Sequence, residues 1–252
     1  MSISALILSK NEEKNIEGCI KSVSFCDEII VIDDYSSDKT EQIAKKLGAA
    51  FYKHHLSSDY SQQRNYALEK AKAKWCLFID PDERVTPGLA KEIQNETKSE
   101  LNNTNGFYIR RKDIFKDQKM NYGEVGSFYI LRLAKKGAGK WKREVHEHWD
   151  IFGRKRKLKN TLLHYSHPKI SDFVRNVNIF STLHAKANYN EHKKSSVFKI
   201  IFMPVVKFAV NYFFKLGFLD KDKGLIYAFM MSLHSFLAWS KLWIYQKSNS
   251  QK

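Results

Sequence analysis

The 252-residue chain predicts an α/β fold built on a mainly parallel sheet, followed by a basic helical extension. Three observations predict it. Short apolar strands alternate with amphipathic helices in the first half, the pattern of a parallel sheet with crossover helices. Two acidic motifs, Asp33-Asp34 and Asp80-Pro81-Asp82-Glu83, stand where apolar strands run out. Finally, residues 1–150 carry 25 Lys+Arg against 23 Asp+Glu, whereas residues 151–252 carry 18 against 4, so nearly all the net charge of +16 is C-terminal.

Ile3 to Leu8 reads as the first strand, and Glu13 to Val23, with Ile16, Ile20 and Val23 at helical spacing, as the first helix. Ile29 to Ile32 is the second strand, and Ser37 or Asp38 caps a helix through Leu47. Ala49 to Lys53 is a short strand, Ser61 caps a helix through Lys72, and Trp75 to Ile79 is the next strand. Thr86 with Pro87 opens a further helix, because proline suits a first-turn position that needs no N–H. After Asn105 the character changes. Gly106 to Arg111 and Phe128 to Leu133 read as strands, and a Gly- and Lys-rich turn over 135–140 leads into the Trp141 segment. The expected division is a catalytic domain over 1–165 and a basic, aromatic-rich helical extension over 166–252.

Composition narrows the class. At 43% hydrophobic residues the chain can bury a full core. Cys19, Cys26 and Cys76 form no Cys-x-x-Cys pair, which disfavours a zinc ribbon and a disulfide framework and favours a reducing, cytosolic setting. The N-terminus opens directly on a strand pattern, so no signal peptide is expected. No Gly-x-Gly-x-x-Gly follows the first strand and no Gly-x-x-x-x-Gly-Lys-Ser/Thr is present, which disfavours a dinucleotide oxidoreductase and a P-loop enzyme.

The acidic motifs carry the chemistry. A carboxylate at the carboxyl end of a parallel strand faces the crevice where open α/β sheets bind ligands. Asp80-x-Asp82 offers two hard oxygen ligands one residue apart, suited to a divalent cation that in turn holds a diphosphate. An acidic turn or a helix cap accounts for either motif alone; their order along the chain points to a nucleotide-diphosphate site.

These residues resemble those of family 2 glycosyltransferases with a GT-A fold, over nearly the whole chain. Leu6 to Glu13 is similar to the family's opening nucleotide-contacting segment. Val31 to Asp38 resembles its Asp-Asp-Gly-Ser motif, with Tyr35 in place of the usual Gly. Gln63-Arg64-Asn65 and Phe78 to Glu83 resemble the segment that ends in the metal motif. Val145-His146-Glu147 and Lys215 to Asp220 resemble the subgroup that adds glucose to the inner-core heptose of lipopolysaccharide, with Lys221 where usual members continue with Gly. The resemblance implies that Ser9, Asn11, Glu13 and Asp34 line the nucleoside pocket, Asp80 lies near the ribose, and Arg64 meets the diphosphate. It implies Asp82 as ligand of Mg²⁺ or Mn²⁺, His146 as third ligand or phosphate contact, and Glu147 as the base of an inverting transfer, with Glu144 and Asp150 as nearby substitutes. His164, in Leu162 to His167, is either a metal or acceptor contact or a core histidine.

The implied partners are a nucleotide-sugar donor, UDP-glucose first, and a lipopolysaccharide core acceptor. The same fold acting on a peptide or another polysaccharide is the alternative. The second half adds a membrane reading. From Val197 to Lys215 the polar residues Lys199, Lys207, Asn211 and Lys215 fall on one arc of a helix, and Leu225 to Tyr245 is a second apolar run; neither is a clean spanning segment, although the second comes near. Basic amphipathic helices with Trp and Phe suit an anionic bilayer surface, two helices packed against the catalytic domain account for the runs equally well, and both hold if one face docks and the other meets lipid; the resemblance implies a peripheral place on the cytoplasmic face of a bacterial inner membrane. The basic cluster over 154–159 faces phosphates of acceptor or bilayer, or is a merely solvated face. Nucleic acid is disfavoured as a partner, since the basic half carries apolar helices and no RNA-binding signature. A non-catalytic membrane adaptor on the same fold is the remaining rival, against which Asp80, Asp82 and Glu147 speak.

Overall fold

The computed structural model describes residues 2–57, 59–99, 103–115, 118–125, 128–143, 147–165 and 169–249. The chain forms two compact units, one of residues 1–111 and 128–164, the other of residues 112–127 and 165–252. The second unit takes in residues 112–127, which the expected division at 165 leaves in the catalytic domain.

The first unit is α/β. Strands β1 (Ile3–Ser9), β2 (Glu28–Asp33), β3 (Ala50–Lys53) and β4 (Trp75–Ile79) run parallel in the order β3-β2-β1-β4, with helices α1 (Ile16–Ser22), α2 (Thr40–Lys46) and α3 (Tyr60–Lys70) between them. The sheet continues through β8 (Phe128–Lys135), antiparallel to β4, then β6 (Thr104–Phe115) and β11 (Arg154–His164), and ends at β5 (Glu83–Val85). β9 (Gly139–Lys142) with β10 (His148–Ile151) makes a separate ribbon, while β7 (Gln118–Lys119) and the end of β6 it pairs with, Ile114 and Phe115, fall in the second unit. α4 (Pro87–Lys98) follows β5.

The side-chain period of two explains why the parallel strands are apolar throughout. Ile3, Ala5 and Ile7 of β1 join Trp75, Leu77 and Ile79 of β4 in one buried cluster, which α1 and α4 cover with Ile16, Ile20, Leu89 and Ile93. Leu6, Cys76 and Phe78 point the other way, into a second cluster with Ala67 of α3, Ala71 just after it, and Trp141 and Trp149 of the β9–β10 ribbon. Cys76 sits deep enough there that burial pushes its thiol up to about 12.

Side chains cap α3 and α4, whereas α1 and α2 open without a side-chain cap bond. Thr86 Oγ1 accepts the Leu89 N–H at 3.2 Å, as expected. The cap of α3, however, is Asp59, whose Oδ1 accepts the Gln62 N–H at 3.0 Å, whereas Ser61 lies inside the first turn and donates to Asp59. At α2 the N-cap position is Lys39, and Asp38, one of the two residues expected there, takes the Thr40 N–H at 3.0 Å from one residue further out. The basic cluster over 154–159 belongs to a strand the sequence did not reveal. Its alternation hides Leu158 and Leu162 in the core and leaves Lys155, Lys157 and Lys159 outside.

The second unit is helical: α5 (Ile170–Asn190), α6 (Val197–Ala209) continued by a π-turn over Val210–Phe214, a 3₁₀ turn over Gly217–Asp220, and α7 (Lys221–Asn249). Phe115, Met120, Phe173, Val177, Tyr227 and Met230 form its core. Asp220, 2% exposed, accepts the N–H groups of Asn121 and Tyr122, both at 2.9 Å, and so ties residues 112–127 to the helices. The next residue, Lys221, has φ 56° and ψ −136°, a conformation that glycine reaches without strain.

The apolar runs behave differently from expectation. It is the first, Val197–Phe214, that is apolar enough over 18 residues to cross a membrane, with a mean hydropathy of 1.6 and 6% of it buried. The second run lies in α7, which packs against both α5 and α6 and buries Tyr227, Ala228, Met230, Ala238 and Leu242.

Candidate active site

The carboxyl ends of β1, β2 and β4 come out at one edge of the sheet, because these strands are parallel and in register. Ser9 pairs with Asp33 across β1 and β2, and its Oγ donates to Asp33 Oδ1 at 2.8 Å. Asp33 is wholly buried and also accepts the Ser36 N–H at 2.7 Å and the Ser36 hydroxyl at 2.6 Å. Its three bonds shape the turn after β2. Tyr35 sits in that turn at φ 51°, the left-handed region, and stacks on His55 with centroids 4.0 Å apart.

The segment after β1 is latched to that turn. Asn11, itself at φ 54°, gives its N–H to Ser36 Oγ at 2.7 Å and accepts the Ser37 N–H at 2.8 Å. Glu13 accepts the Lys39 N–H at 3.3 Å, and its own N–H goes to Asp38 at 3.0 Å. Asp34 receives Lys10 Nζ at 2.9 Å and the Leu56 N–H at 3.2 Å. Burial raises its carboxyl, but the Lys10, Leu56 and His55 contacts outweigh that and hold it below the usual range. Ser9, Asn11, Glu13 and Asp34 are therefore gathered at one strand edge, with side chains spent on the loops that form it.

The Gln63-Arg64-Asn65 run of α3 divides its labour by helix geometry. Gln63 Nε2 donates to the His54 carbonyl at 2.9 Å and fixes the loop after β3. Asn65 clasps the backbone of Trp141, its Nδ2 donating to the carbonyl at 3.0 Å and its Oδ1 accepting the N–H at 2.9 Å. That clasp lays the Trp141 ring 4.6 Å from the guanidinium carbon of Arg64, with Phe78 at 5.4 Å. Arg64 is 5% exposed, donates from Nε to Glu147 Oε1 at 3.1 Å and from Nη2 to Asp80 Oδ1 at 3.2 Å, and its buried Nη1 meets no acceptor among the described residues.

Asp80 to Glu83 makes a closed turn: the Glu83 N–H reaches the Asp80 carbonyl and Glu83 Oε2 accepts the Asp80 N–H, both at 2.9 Å. Asp80 is held on its other oxygen by Arg132, which also stands 3.7 Å from Glu83 Oε1. Burial raises the Asp80 carboxyl, but the positive charges of Arg132, Arg64 and Arg111 outweigh it and hold it far below its usual value. Glu83, wholly buried beside that charge, is pushed the other way, first by burial and then by Asp80. Of the two, Asp80 keeps its negative charge more firmly.

β5 then pairs with β11 so that His164 lies opposite Glu83, and this register brings His164 Nε2 to 3.3 Å from Asp82 Oδ2. Burial raises Asp82, and the His164 contact more than offsets it. The Glu12 carboxyl nearby is raised by burial and further by the charges of Asp82, Asp38 and Asp80, against a lowering bond from Asn15. Asp82 thus stands among both carboxylates and cations, and the balance favours its charged form.

The structure joins three of the residues singled out from sequence, Arg64, Asp80 and Glu147, in one contact chain, and pairs a fourth, Asp82, with His164. His146, expected as a metal ligand, lies outside the described residues, as does Glu144. Among the described residues no group of three or more His, Cys, Asp or Glu side chains is gathered as a ligand set. The donors at Asp82 nevertheless fit a divalent ion, since a carboxylate and an imidazole nitrogen within 3.3 Å can share one, and Mg²⁺ commonly takes only one or two protein ligands beside substrate phosphates. Sequence reasoning missed Arg132, which neutralises Asp80. Its signal was a lone cation inside the apolar run Ile130-Leu131-Arg132-Leu133 of β8.

Known proteins resemble the chain as a whole. Residues 4–168 match the family model described as Glycosyl transferase family 2. The lipopolysaccharide core biosynthesis glycosyltransferase LpsC of Rhizobium meliloti is 27% identical over 91% of this chain and 90% of its own. An uncharacterized glycosyltransferase of Rickettsia bellii is 29% identical over 95% of this chain and 85% of its own. Among solved structures, residues 1–349 of S. aureus TarS in complex with UDP-GlcNAc are 15% identical, with a TM-score of 0.46, covering 100% of this chain and 92% of that one; a likeness that loose supports no residue-by-residue correspondence.

Proposed function

The chain belongs to glycosyl transferase family 2, and on that premise we propose that it is an inverting transferase moving glucose from UDP-glucose to an inner-core heptose of lipopolysaccharide. The observation that carries this reading is the chain Asp80–Arg64–Glu147 at the carboxyl edge of the sheet, with one guanidinium nitrogen that meets no acceptor among the described residues. A planar cation with a free donor suits diphosphate oxygens. The similarity to LpsC along nearly its full length supports the acceptor class.

In the proposed reaction Glu147 takes the proton of the acceptor hydroxyl as that oxygen bonds to the anomeric carbon from the face opposite the diphosphate. The bond from that carbon to the phosphate oxygen breaks, and the electron pair leaves with the nucleoside diphosphate. Arg64 holds the diphosphate through Nη1 while its Nε orients the Glu147 carboxylate. Trp141 and Phe78 exclude water from the guanidinium, which strengthens each of its contacts. Asp82, with His164, would hold Mg²⁺ or Mn²⁺, whose charge offsets that developing on the leaving diphosphate. Ser9, Asn11, Glu13 and Asp34 form the nucleoside side of the pocket. Because the proposed acceptor is lipid-anchored, the enzyme works at the cytoplasmic face of a membrane.

Release of nucleoside diphosphate from a panel of sugar nucleotides tests the reading, with Mn²⁺ or Mg²⁺ and then with chelator, in the presence and absence of heptose-terminated lipopolysaccharide core. Chelator-sensitive release from UDP-glucose that needs the core supports it. Release indifferent to the core moves the acceptor to other glycans or peptides, and no release from any donor overturns the catalytic assignment.

A further inference from the structure

Helix α6 and its π-turn are amphipathic in the reverse of the usual sense. A surface helix of a globular protein normally turns its apolar stripe to the core and its polar stripe to water. At about 100° per residue, Lys207 and Asn211 fall on one side of this helix and Phe198, Ile201, Phe202 and Val205 on the other. The polar side is the one that packs. Lys207 Nζ is bonded to Glu124 at 2.9 Å, Asn211 is 1% exposed, and Pro204 is buried with its carbonyl accepting from Ser232 of α7 at 2.8 Å. The apolar side is open, with Phe198 at 62% exposure, Val205 at 63% and Phe213 at 57%.

We infer that the outward apolar arc of α6 and its π-turn is a membrane-contact surface that lies in the plane of an anionic bilayer, with the lysines at its two ends on the headgroups. An apolar strip this long on a soluble face would be costly in water and favours association. The occupant is read from charge. Lys193 and Lys194 precede the helix, Lys215 and Lys221 follow it, and residues 151–252 carry a net charge of +14. A cationic rim around an apolar strip complements acyl chains beneath anionic headgroups, where each basic side chain adds to the attraction. A second copy of the same cationic rim would repel itself.

The in-plane orientation follows from the packed side. A spanning orientation would carry the Lys207–Glu124 pair, with the turn over Gly123–Val125 and part of α7, into hydrocarbon. Lying flat, the helix immerses only the exposed apolar arc and keeps its packed side out of hydrocarbon. The inference rests on this helix alone and stands or falls apart from the reading of the active site.

The test is flotation of the full-length chain with vesicles of phosphatidylethanolamine and phosphatidylglycerol, compared with phosphatidylcholine alone. The wild type should float with the anionic vesicles and dissociate with added salt. The exposed pair Phe202→Ser with Val205→Ser should lower the bound fraction by about tenfold or more, and Lys194→Glu with Lys215→Glu should remove the preference for anionic lipid. Circular dichroism of both variants should match the wild type, since none of these side chains is buried. Flotation unchanged by the serines would overturn the inference, as would loss of a dimer on making them, seen by light scattering. Resistance of the bound protein to alkaline carbonate would replace the in-plane surface with a spanning one and overturn it too.

Discussion

Arg64 Nε and Glu147 Oε1 lie 3.1 Å apart, so the cation proposed for the diphosphate and the carboxylate proposed for the acceptor hold each other directly. Two groups proposed for separate duties, one on the donor side and one on the acceptor side, are thereby one mechanical unit. Asp80 on the second guanidinium nitrogen and the Trp141 ring fix the plane in which that unit sits.

Coupling between them is the first expectation. Arg64→Lys and Glu147→Gln should each lower kcat/KM by about a hundredfold or more, and the double variant should lose far less than the product of the two, because residues acting as a unit are not additive. Initial rates on all four proteins check this. Multiplicative losses would mean that the two side chains act independently.

Asp82→Asn should remove about a thousandfold from kcat without disturbing the far-ultraviolet spectrum, since the side chain ends in a contact with His164 and not in the core. His164→Ala, which removes an imidazole proposed to orient that carboxylate or share its ion, should cost about ten- to a hundredfold. Turnover by Asp82→Asn that chelator leaves untouched would remove the ion from this position.

Lys221→Gly should stabilise the second unit. Lys221 holds φ 56° and ψ −136° directly after the buried Asp220, a conformation that costs a side chain-bearing residue about 1–3 kcal/mol, partly offset by the greater unfolded-state freedom of glycine. A net gain near 1 kcal/mol should raise the melting temperature by about 2–4 °C. Scanning calorimetry distinguishes this from a fall, which would show that the lysine side chain offsets its own strain.

Acid should weaken the protein through His234. Burial, with the facing charges of His184 and Lys207, lowers that imidazole to about 4, against a small opposing effect of Glu124. A base depressed in the folded state binds its proton first when unfolded, so stability is full above pH ~6.5 and falls as the pH drops towards 4. Partial exposure reduces the loss to about 1–2 kcal/mol. Urea titrations of wild type and His234→Gln across that window should show the slope in the first and a flatter line in the second.

The strand edge was legible in the sequence because its signals are local. Trp75 to Ile79 is an unbroken apolar run before Asp80, and the structure forms β4 over those five residues. Thr86-Pro87 announced α4 for the same reason. What stayed hidden depends on distant pairing. His164 reaches Asp82 only through the β5–β11 register, and Arg132 reaches Asp80 only because β8 runs antiparallel beside β4. The strand over Arg154–His164 was masked by lysines on its exposed side, whose alternation with Leu158 and Leu162 becomes meaningful once one face is buried. Tyr35 and Lys221 stood out as departures from glycine, and both carry the positive φ that such a position demands.

The reversed polarity of α6 changes how substrate encounter should be counted. A protein resting on a lipid surface by one helical arc and a lipid-anchored acceptor search for each other in two dimensions, at an effective concentration set by confinement and not by the bulk solution. Rates measured on a detergent-dispersed acceptor would then follow the amount of enzyme per volume, and rates on vesicles the number of molecules per unit of bilayer area. Adding bare vesicles at fixed enzyme and acceptor would dilute the reaction without changing the volume of the sample.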